Sequence, residues 1–550
     1  MPSELAATSE RRARLRWRLG EDHLWLAPLV VTVAYLITFA TQVSRLLAVT
    51  YLNADAASAP VIGQLYGGSA GSRSVILGHL GWYSTLLYEL ATRWMPLHRQ
   101  IWEGSPYLMA LLSVVLIVWA LWRIAGRWSA IIAGCILVCA GPALLQLLLV
   151  LNNHAPTWFT FALLGPFLVL LELRIETLRR PLLLLAAVVV GVLLGANAAS
   201  DVLLTLAGGG PFLLAAVAGW GIHRDRASAR AAAVALATCV LALVVGLLVH
   251  AYVHHENIVS AVDARTSLFA AEEAIGSNFR LWWQSLAVLG DGDFFGLSLG
   301  FSTALEFVCA VLTIAGVVIV ARVARTEVAA SLAREPNAPV TPRERATLAW
   351  SVYWAASLVV LSLAFIFSAT PEGLSSDRYL VGALYAVAAL VPLFARKRIA
   401  LRVAASVAVT VYAFAGCLAL AQQRIAEPVS PTHQIANEIT RIARKEGLTV
   451  GYGGYWDAAP ITWSTHLGVK VFPVDDCEGN QHLCAFELHQ ITSWYKPRPR
   501  TRTFLLSDST YPTPPSAPTP DLGAPVAVHQ IGPVTMYVYP YDIASRLFAL

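Results

Sequence analysis

Charge is scarce in this chain. Its 550 residues include 34 acidic and 39 basic side chains, so 13% are charged and 57% are hydrophobic. A soluble fold of this length needs far more charge to cover its surface, which excludes an ordinary soluble protein. The apolar/polar alternation over about 10 residues that marks a transmembrane barrel is also missing. Apolar runs here are continuous, as in "LLLLAAVVVGVLL" (182–194). The chain has no Walker-type phosphate loop, dinucleotide GxGxxG fingerprint, HExxH helix or nucleophile elbow. The glycines of "GGYWDAAP" (453–460) read as loop geometry. Basic residues follow membrane side and do not gather on one domain, so nucleic-acid binding has no support.

What the chain does have is a series of apolar runs of roughly 20 residues, the length that crosses a hydrocarbon core. Hydropathy predicts about eleven spans: 24–48, 106–123, 129–151, 156–173, 182–200, 204–222, 231–251, 297–321, 347–369, 379–395 and 401–421. The turn "NAASD" (197–201) leaves open whether 182–222 crosses twice or holds a shallow re-entrant turn. The expected class is therefore an α-helical polytopic membrane protein. Arginine marks every second connection: Arg11 to Arg18, Arg123 and Arg127, Arg174 to Arg180, Arg224 to Arg230, Arg322 to Arg345, and Arg396 to Arg402. By the positive-inside rule these connections and the basic N-terminus (1–23) face the cytoplasm. The connections 49–105, 152–155, around 201, 252–296 and 370–378 then face outward, as does everything from 422 onward. The first run is too long for a signal-peptide core, so "ASA" (57–59) reads as an imitation of a cleavage site. Arginine over lysine, with abundant alanine and leucine, suggests a GC-rich bacterial gene and hence a bacterial cell membrane.

Two outer loops are long. Within 49–105, "HLGWYSTLLYELATRWM" (79–95) has helical amphipathic spacing and is expected along the membrane surface. "SNFRLWWQSLAVLG" (277–290) is a second interfacial candidate. Beyond 430 the composition changes, dividing the chain into a membrane module (24–421) and an extracytoplasmic domain (430–550). "PTHQIANEITRIARKEG" predicts a helix ending at Gly447, and "APITWSTHLG" a second helix. "LTVGYGGY", "VKVFPV", "RTFLLSD" and "VAVHQIGPVTMYVYPY" predict strands, together a small α/β domain with a partly parallel sheet. "YPTPPSAPTP" (511–520) is a proline-rich loop. Cys135, Cys139, Cys239, Cys309 and Cys417 fall inside apolar runs and read as small hydrophobes. Cys477 and Cys484 flank "EGNQHL" on the outward side, where close spacing suits a disulfide; a zinc site with His482 is the lesser alternative.

An outward-facing site must draw on ionisable groups at the outer helix ends. Asp55 in "YLNADAAS" (51–58) follows the first span amid small residues that leave room for close approach. It reads two ways: as a base taking a proton from a hydroxyl, or with Asn53 as the cap of a following helix. Arg378 in "SSDRYL" can hold a phosphate bidentately, or pair with Asp377 and snorkel. Asn153 and His154 in "LNNHAP" can contact phosphate or sugar, or form a polar turn. Glu306 lies inside a run, where an acid carries a functional prior.

In combination these features resemble the GT-C superfamily of membrane glycosyltransferases, whose donors are polyprenyl-phosphate-linked sugars. The likeness lies in an acid just after the first span, a long first outer loop, polar outer helix ends, the "DRYLVGALYAVAALVP" segment (377–392), and an outward C-terminal α/β domain. The resemblance implies Asp55 as catalytic base and Arg378 as donor-phosphate contact, with Arg73, His79 and His154 behind it and Asn153, Tyr379 and Asp377 near donor or acceptor. Many members carry two adjacent acids in the first loop; here Ala54 precedes Asp55, and "LNNHAP" supplies no second acid. A divalent metal, used by some members, therefore has no paired-acid motif to hold it, and no metal ligand is assigned. The implied partners are the lipid-linked sugar, a glycan, lipid or protein acceptor, and membrane lipids. Trp456, Trp463, Trp494 and Tyr495 could stack on acceptor sugars or form the domain core. The competing function is a transporter or lipid-linked-sugar flippase, which calls for internal repeats and mid-span polar residues. A third reading is a membrane-anchored scaffold with a working outer domain.

Overall fold

The computed structural model describes residues 23–50, 52–65, 75–77, 94–95, 98–149, 154–256, 258–260, 269–334, 339–371, 373–422, 433–477, 482–510 and 519–548. Ten helices among them are long and apolar enough to cross a membrane, or eleven if one bent pair counts as a span. They are Leu26–Leu46, Arg99–Ala125, Ala155–Arg174, Arg180–Ala198, Val202–His223, Arg226–His255, Phe301–Leu332, Pro342–Phe367, Ser376–Ala395 and Ile399–Ala421. Arg180–Ala198 and Val202–His223 are separate helices, each long and apolar enough to cross a membrane, with the "NAASD" turn between them.

The third expected span is broken. Helices Arg127–Val138 and Pro142–Leu148 meet at 89°. The cause is "CAGP" (139–142): proline cannot donate to the helix ladder and clashes with the preceding turn. A break inside an apolar layer frees carbonyls that must find donors. Here the Tyr35 hydroxyl donates to the Ala140 carbonyl at 2.6 Å.

The helix ends segregate onto two faces. On the arginine-rich face, Arg345 bridges Glu172 at 3.3 Å and Asp225 at 3.4 Å, tying three connections together. Arg343 and Arg396 both donate to the Ile124 carbonyl. Arg127 lies 4.6 Å over the Trp25 ring. On the opposite face, His154 meets Asp201, and the Asn278 amide donates to the carbonyls of Ile366 and Ser368. Thus the alternation of arginine along the sequence becomes a real two-sided structure.

Two close helix contacts set the bundle. Arg180–Ala198 packs along Arg226–His255 through Gly191 and Gly195; a Cβ on Gly195 would lie 2.3 Å from the Ala242 carbonyl oxygen. Small residues that let backbones meet in this way drive association where lipid is as apolar as leucine. Ala155–Arg174 and Ser376–Ala395 are the most enclosed spans, sealed by Trp158, Phe161, Tyr353 and Trp354. Both carry expected site residues at their first turns.

The C-terminal domain begins with helix His433–Glu446, which ends at Gly447 with φ +68°, a left-handed stop natural to glycine. Strands follow the short ones of the outer loops. In chain order these are β1 (Val75–Leu77), β2 (Ile258–Ser260), β3 (Val450–Gly453), β4 (Lys470–Asp476), β5 (Leu483–Ala485), β6 (Gln490–Ile491), β7 (Thr503–Asp508), β8 (Ala527–Ile531) and β9 (Val534–Tyr539). The six-stranded sheet runs β5-β4-β3-β7-β9-β8, parallel at β4-β3-β7 and antiparallel elsewhere. Helix Tyr455–Ser464 makes the crossover between β3 and β4. Cys477 and Cys484 are joined by a disulfide at the β4–β5 hairpin, and His482 pairs with Asp521.

A second, three-stranded sheet joins remote segments. β1 from the first outer loop pairs in parallel with β2 from the long loop, and antiparallel with β6 of the C-terminal domain. Most of the amphipathic stretch 79–95 lies outside the described residues. "SNFRLWWQSLAVLG" falls in helix Glu272–Leu289.

Candidate active site

Helix Ala54–Leu65 begins directly after the first span. Its sequence "ADAASAPVIGQL" is short-chained on nearly every side, and Ala54 and Ala56 to Gly63 are all buried. It is wedged into the core of the C-terminal domain, where Ala57, Val61 and Ile62 pack with Tyr452, Ala459, Trp463 and Trp494. Only small residues allow a helix to lie so close to helix Tyr455–Ser464, itself lined by Ala458 and Ala459.

Asn53 and Asp55 take different positions at this helix start. Asn53 is the cap: its Oδ1 accepts the Asp55 backbone N–H at 2.8 Å, and its carbonyl accepts the Ala57 N–H. Asp55 lies in the first turn, where a carboxylate sits at the favourable positive end of the helix. It turns to the C-terminal domain, where the Tyr455 hydroxyl donates to Asp55 Oδ1 at 2.6 Å. The Tyr455 ring is held by stacking on Phe486, with centroids 4.9 Å apart and planes at 17°, and on His489 at 5.5 Å and 26°. Trp456 meets it edge-on. Nearby, Arg99 clamps the next span to the same domain. It donates to the Trp463 carbonyl, lies 4.7 Å over that indole, and contacts His466 and Glu103.

A second polar group forms at the ends of the two enclosed spans. His154 Nδ1 lies 2.6 Å from Asp201 Oδ2. Asp201 also accepts from Thr157 Oγ1 at 2.8 Å and from the Leu203 backbone N–H at 3.0 Å, capping helix Val202–His223. Burial pushes the Asp201 carboxyl up, but the His154 charge and the bonds from His154, Thr157 and Leu203 outweigh it and hold it below its ordinary range. His154 has φ +64°, a left-handed backbone that costs a non-glycine residue about 1 kcal/mol. Such strain persists where the surroundings impose it. The His154 ring packs edge-on against Tyr379 at 5.5 Å. The Tyr379 hydroxyl accepts from Arg378 Nη2 at 3.2 Å, and the guanidinium lies 5.1 Å over the Tyr379 ring. Asp377 is buried beside them. Asp201, His154, Tyr379 and Arg378 are thus one connected cluster.

Arg73, His79 and Asn153 lie outside the described residues. Trp463 and Trp494 are core residues, with 2% and 6% exposure, and the Tyr495 hydroxyl is spent on the Pro473 carbonyl. Their reading as sugar-stacking platforms gives way to packing; Trp456 is half-buried. No group of three or more His, Cys, Asp or Glu among the described residues has metal-holding geometry.

Tyr455 was not legible as a site residue. It lies 400 positions from Asp55, and a tyrosine at a helix start has an ordinary structural explanation. Asp201 stood out as an outer acid, but nothing in the sequence pairs it with His154.

No protein-family model matches the chain, and neither does any curated protein. Among solved structures it is similar to the oligosaccharyltransferase of Archaeoglobus fulgidus. A complex with Zn and sulfate shares 13% identity over 76% of this chain and 55% of that one, with a TM-score of 0.40. The protein AglB bound to an inhibitory peptide and a dolichol-phosphate shares 12% over 76% and 58%, also at 0.40. A form tethered to an acceptor peptide shares 11% over 81% and 63%, at 0.38. The chain therefore spans between 55% and 63% of the length of these structures. Such values do not place it in a family.

Proposed function

We propose that this chain is a membrane glycosyltransferase of the GT-C type. It moves a sugar, with inversion, from a polyprenyl-phosphate donor to a hydroxyl of a cell-envelope glycan, lipid or protein. The reaction takes place on the outer face of a bacterial cell membrane, with the N-terminus cytoplasmic. The observation that carries this reading is the bond from the Tyr455 hydroxyl to Asp55. In it the Asp55 carboxylate, just after the first span, accepts an O–H at 2.6 Å from the C-terminal domain. An acceptor hydroxyl needs that same geometry to lose its proton.

In this mechanism the acceptor oxygen attacks the anomeric carbon while Asp55 takes its proton. The bond from the anomeric carbon to the phosphate oxygen breaks, and the lipid phosphate leaves with the electron pair. Its growing charge needs fixed donors. Arg378 supplies a planar guanidinium and His154 an imidazole held by Asp201. Arg73, His79, Asn153, Tyr379 and Asp377 complete the proposed donor and acceptor contacts. The first isoprenoid units are assigned to an apolar cavity of about 140 Å³ lined by Tyr35, Phe39, Tyr107, Leu145, Leu149 and Tyr385.

The test is Asp55→Asn in the full chain, reconstituted in lipid with radiolabelled polyprenyl-phosphate sugars. Transfer should fall by at least a hundredfold, since general-base catalysis supplies about 10²–10⁴. Undiminished transfer would remove Asp55 from the role of base.

A further inference from the structure

A second cavity lies at the arginine-rich face. It has a volume of about 660 Å³ and is walled by the ends of helices His98–Ala125, Phe301–Leu332 and Pro342–Phe367, together with Arg396 and Lys397. Four cations line it, Arg334, Arg343, Arg396 and Lys397, against two acids, Glu327 and Glu344. The acids are already taken. Arg334 pairs with Glu344 at 3.2 Å, and Lys397 with Glu327 at 3.1 Å.

That leaves Arg343 and Arg396. Arg343 Nε donates to the Ile124 carbonyl at 2.8 Å, and Arg396 Nη1 donates to the same oxygen at 3.0 Å. Two guanidiniums converge on one neutral acceptor, and neither has a carboxylate partner among the described residues. Burial weakens the hold of Arg396 on its proton, Glu327 opposes this, and the adjacent Arg343 charge weakens it further. The Ile124 carbonyl lies in the last turn of helix His98–Ala125, where free carbonyls attract cations, and here two guanidiniums share one. The N-terminus of helix Pro342–Phe367 also reaches the wall, but its capping box of Thr341 and Glu344 already satisfies it, so the cavity's positive charge comes from the arginines. Ser331 and Thr347 add hydroxyls to the wall.

We propose that this cavity is a phosphate-binding site, with Arg343 and Arg396 as its forked donors. Two sources present that chemistry at a membrane surface: the headgroup of an anionic phospholipid and free inorganic phosphate. The site is independent of sugar transfer, because no residue of it belongs to the Asp55 or His154 groups.

The experiment follows the thermal midpoint of the full purified chain in neutral detergent. It is titrated separately with short-chain phosphatidylglycerol and inorganic phosphate, with short-chain phosphatidylcholine as the net-neutral control. A ligand that binds only the folded state raises the midpoint saturably. A response to the lipid alone identifies the headgroup as the source, and a response to phosphate identifies the free ion. Either response supports the site if Arg343→Gln and Arg396→Gln each weaken apparent affinity at least tenfold. Arg226→Gln, on the same face but outside the cavity, should leave it unchanged. Where the glutamine variants do not fold, Ala330→Glu adds a negative charge to the wall while keeping both arginines, and must abolish the response. No saturable shift with either probe overturns the proposal. So does an unchanged affinity in the cavity variants.

Discussion

Tyr455→Phe separates two roles for one side chain. The variant removes a single oxygen and keeps the ring that stacks on Phe486 and His489. What it loses is a hydrogen bond of 2.6 Å to the Asp55 carboxylate. Bonds to charged groups are worth about 1.5–3 kcal/mol. Asp55 is half-buried, so the low end applies, and about 1.5 kcal/mol corresponds to roughly tenfold in rate. If that bond orients the base, kcat for sugar transfer should drop about tenfold while the KM for the lipid donor stays within about twofold. Tyr455→Ala should lose the same kcat through the missing hydroxyl and additionally loosen the domain junction. The assay is steady-state transfer in proteoliposomes, with both substrates varied. A positioning role predicts that Phe resembles Ala in kcat; a packing role predicts that Phe resembles the wild type. Equal kcat in Tyr455→Phe and wild type refutes the coupling of the C-terminal domain to Asp55.

Asp201→Asn should raise the donor KM about fivefold, because His154 loses the anion that orients it, and should lower stability by about 1–2 kcal/mol. Since the folded Asp201 carboxyl lies below its ordinary 3.8, its stabilisation is fully present above that pH and is lost as pH falls through the lowered folded value. Melts of wild type and variant should therefore converge only below about pH 4. Gly195→Ala would place a methyl 2.3 Å from the Ala242 carbonyl oxygen and 2.8 Å from Val245 Cβ. Forcing the two helices apart should cost about 1–3 kcal/mol in a thermal melt. Gly246→Ala, whose Cβ would sit 3.5 Å from the nearest atom, should be nearly silent and serves as its control.

Much of the architecture could be read from pattern alone. Continuous apolar runs and alternating arginines depend on the solvent on each side, not on tertiary detail, so spans and faces emerged together. The helix–strand order of the C-terminal domain followed from turn residues such as Gly447 and from β-branched runs. The break in the third span was not legible because hydropathy averages over "CAGP", whereas the backbone responds to one proline. In the site, Asp55 was conspicuous as an isolated acid among alanines. That Asn53 supplies a cap at this helix start became visible only in the structure. Tyr455 and the His154–Asp201 pair stayed hidden because each joins elements distant in sequence, and no local periodicity records such a meeting.

The small sheet of β1, β2 and β6 also imposes a timetable. β1 leaves the ribosome near residue 77, but its antiparallel partner at Gln490 and Ile491 follows more than 400 residues later. Helix Ala54–Leu65, which carries Asp55, likewise waits for Tyr452, Ala459 and Trp463 to cover it. Non-local pairing of this kind is slow and leaves unpaired edges exposed in the meantime. The segment that follows the first span is therefore among the last to mature. A protein released early, with every membrane span in place but no C-terminal domain, would carry its acid on an unsupported helix.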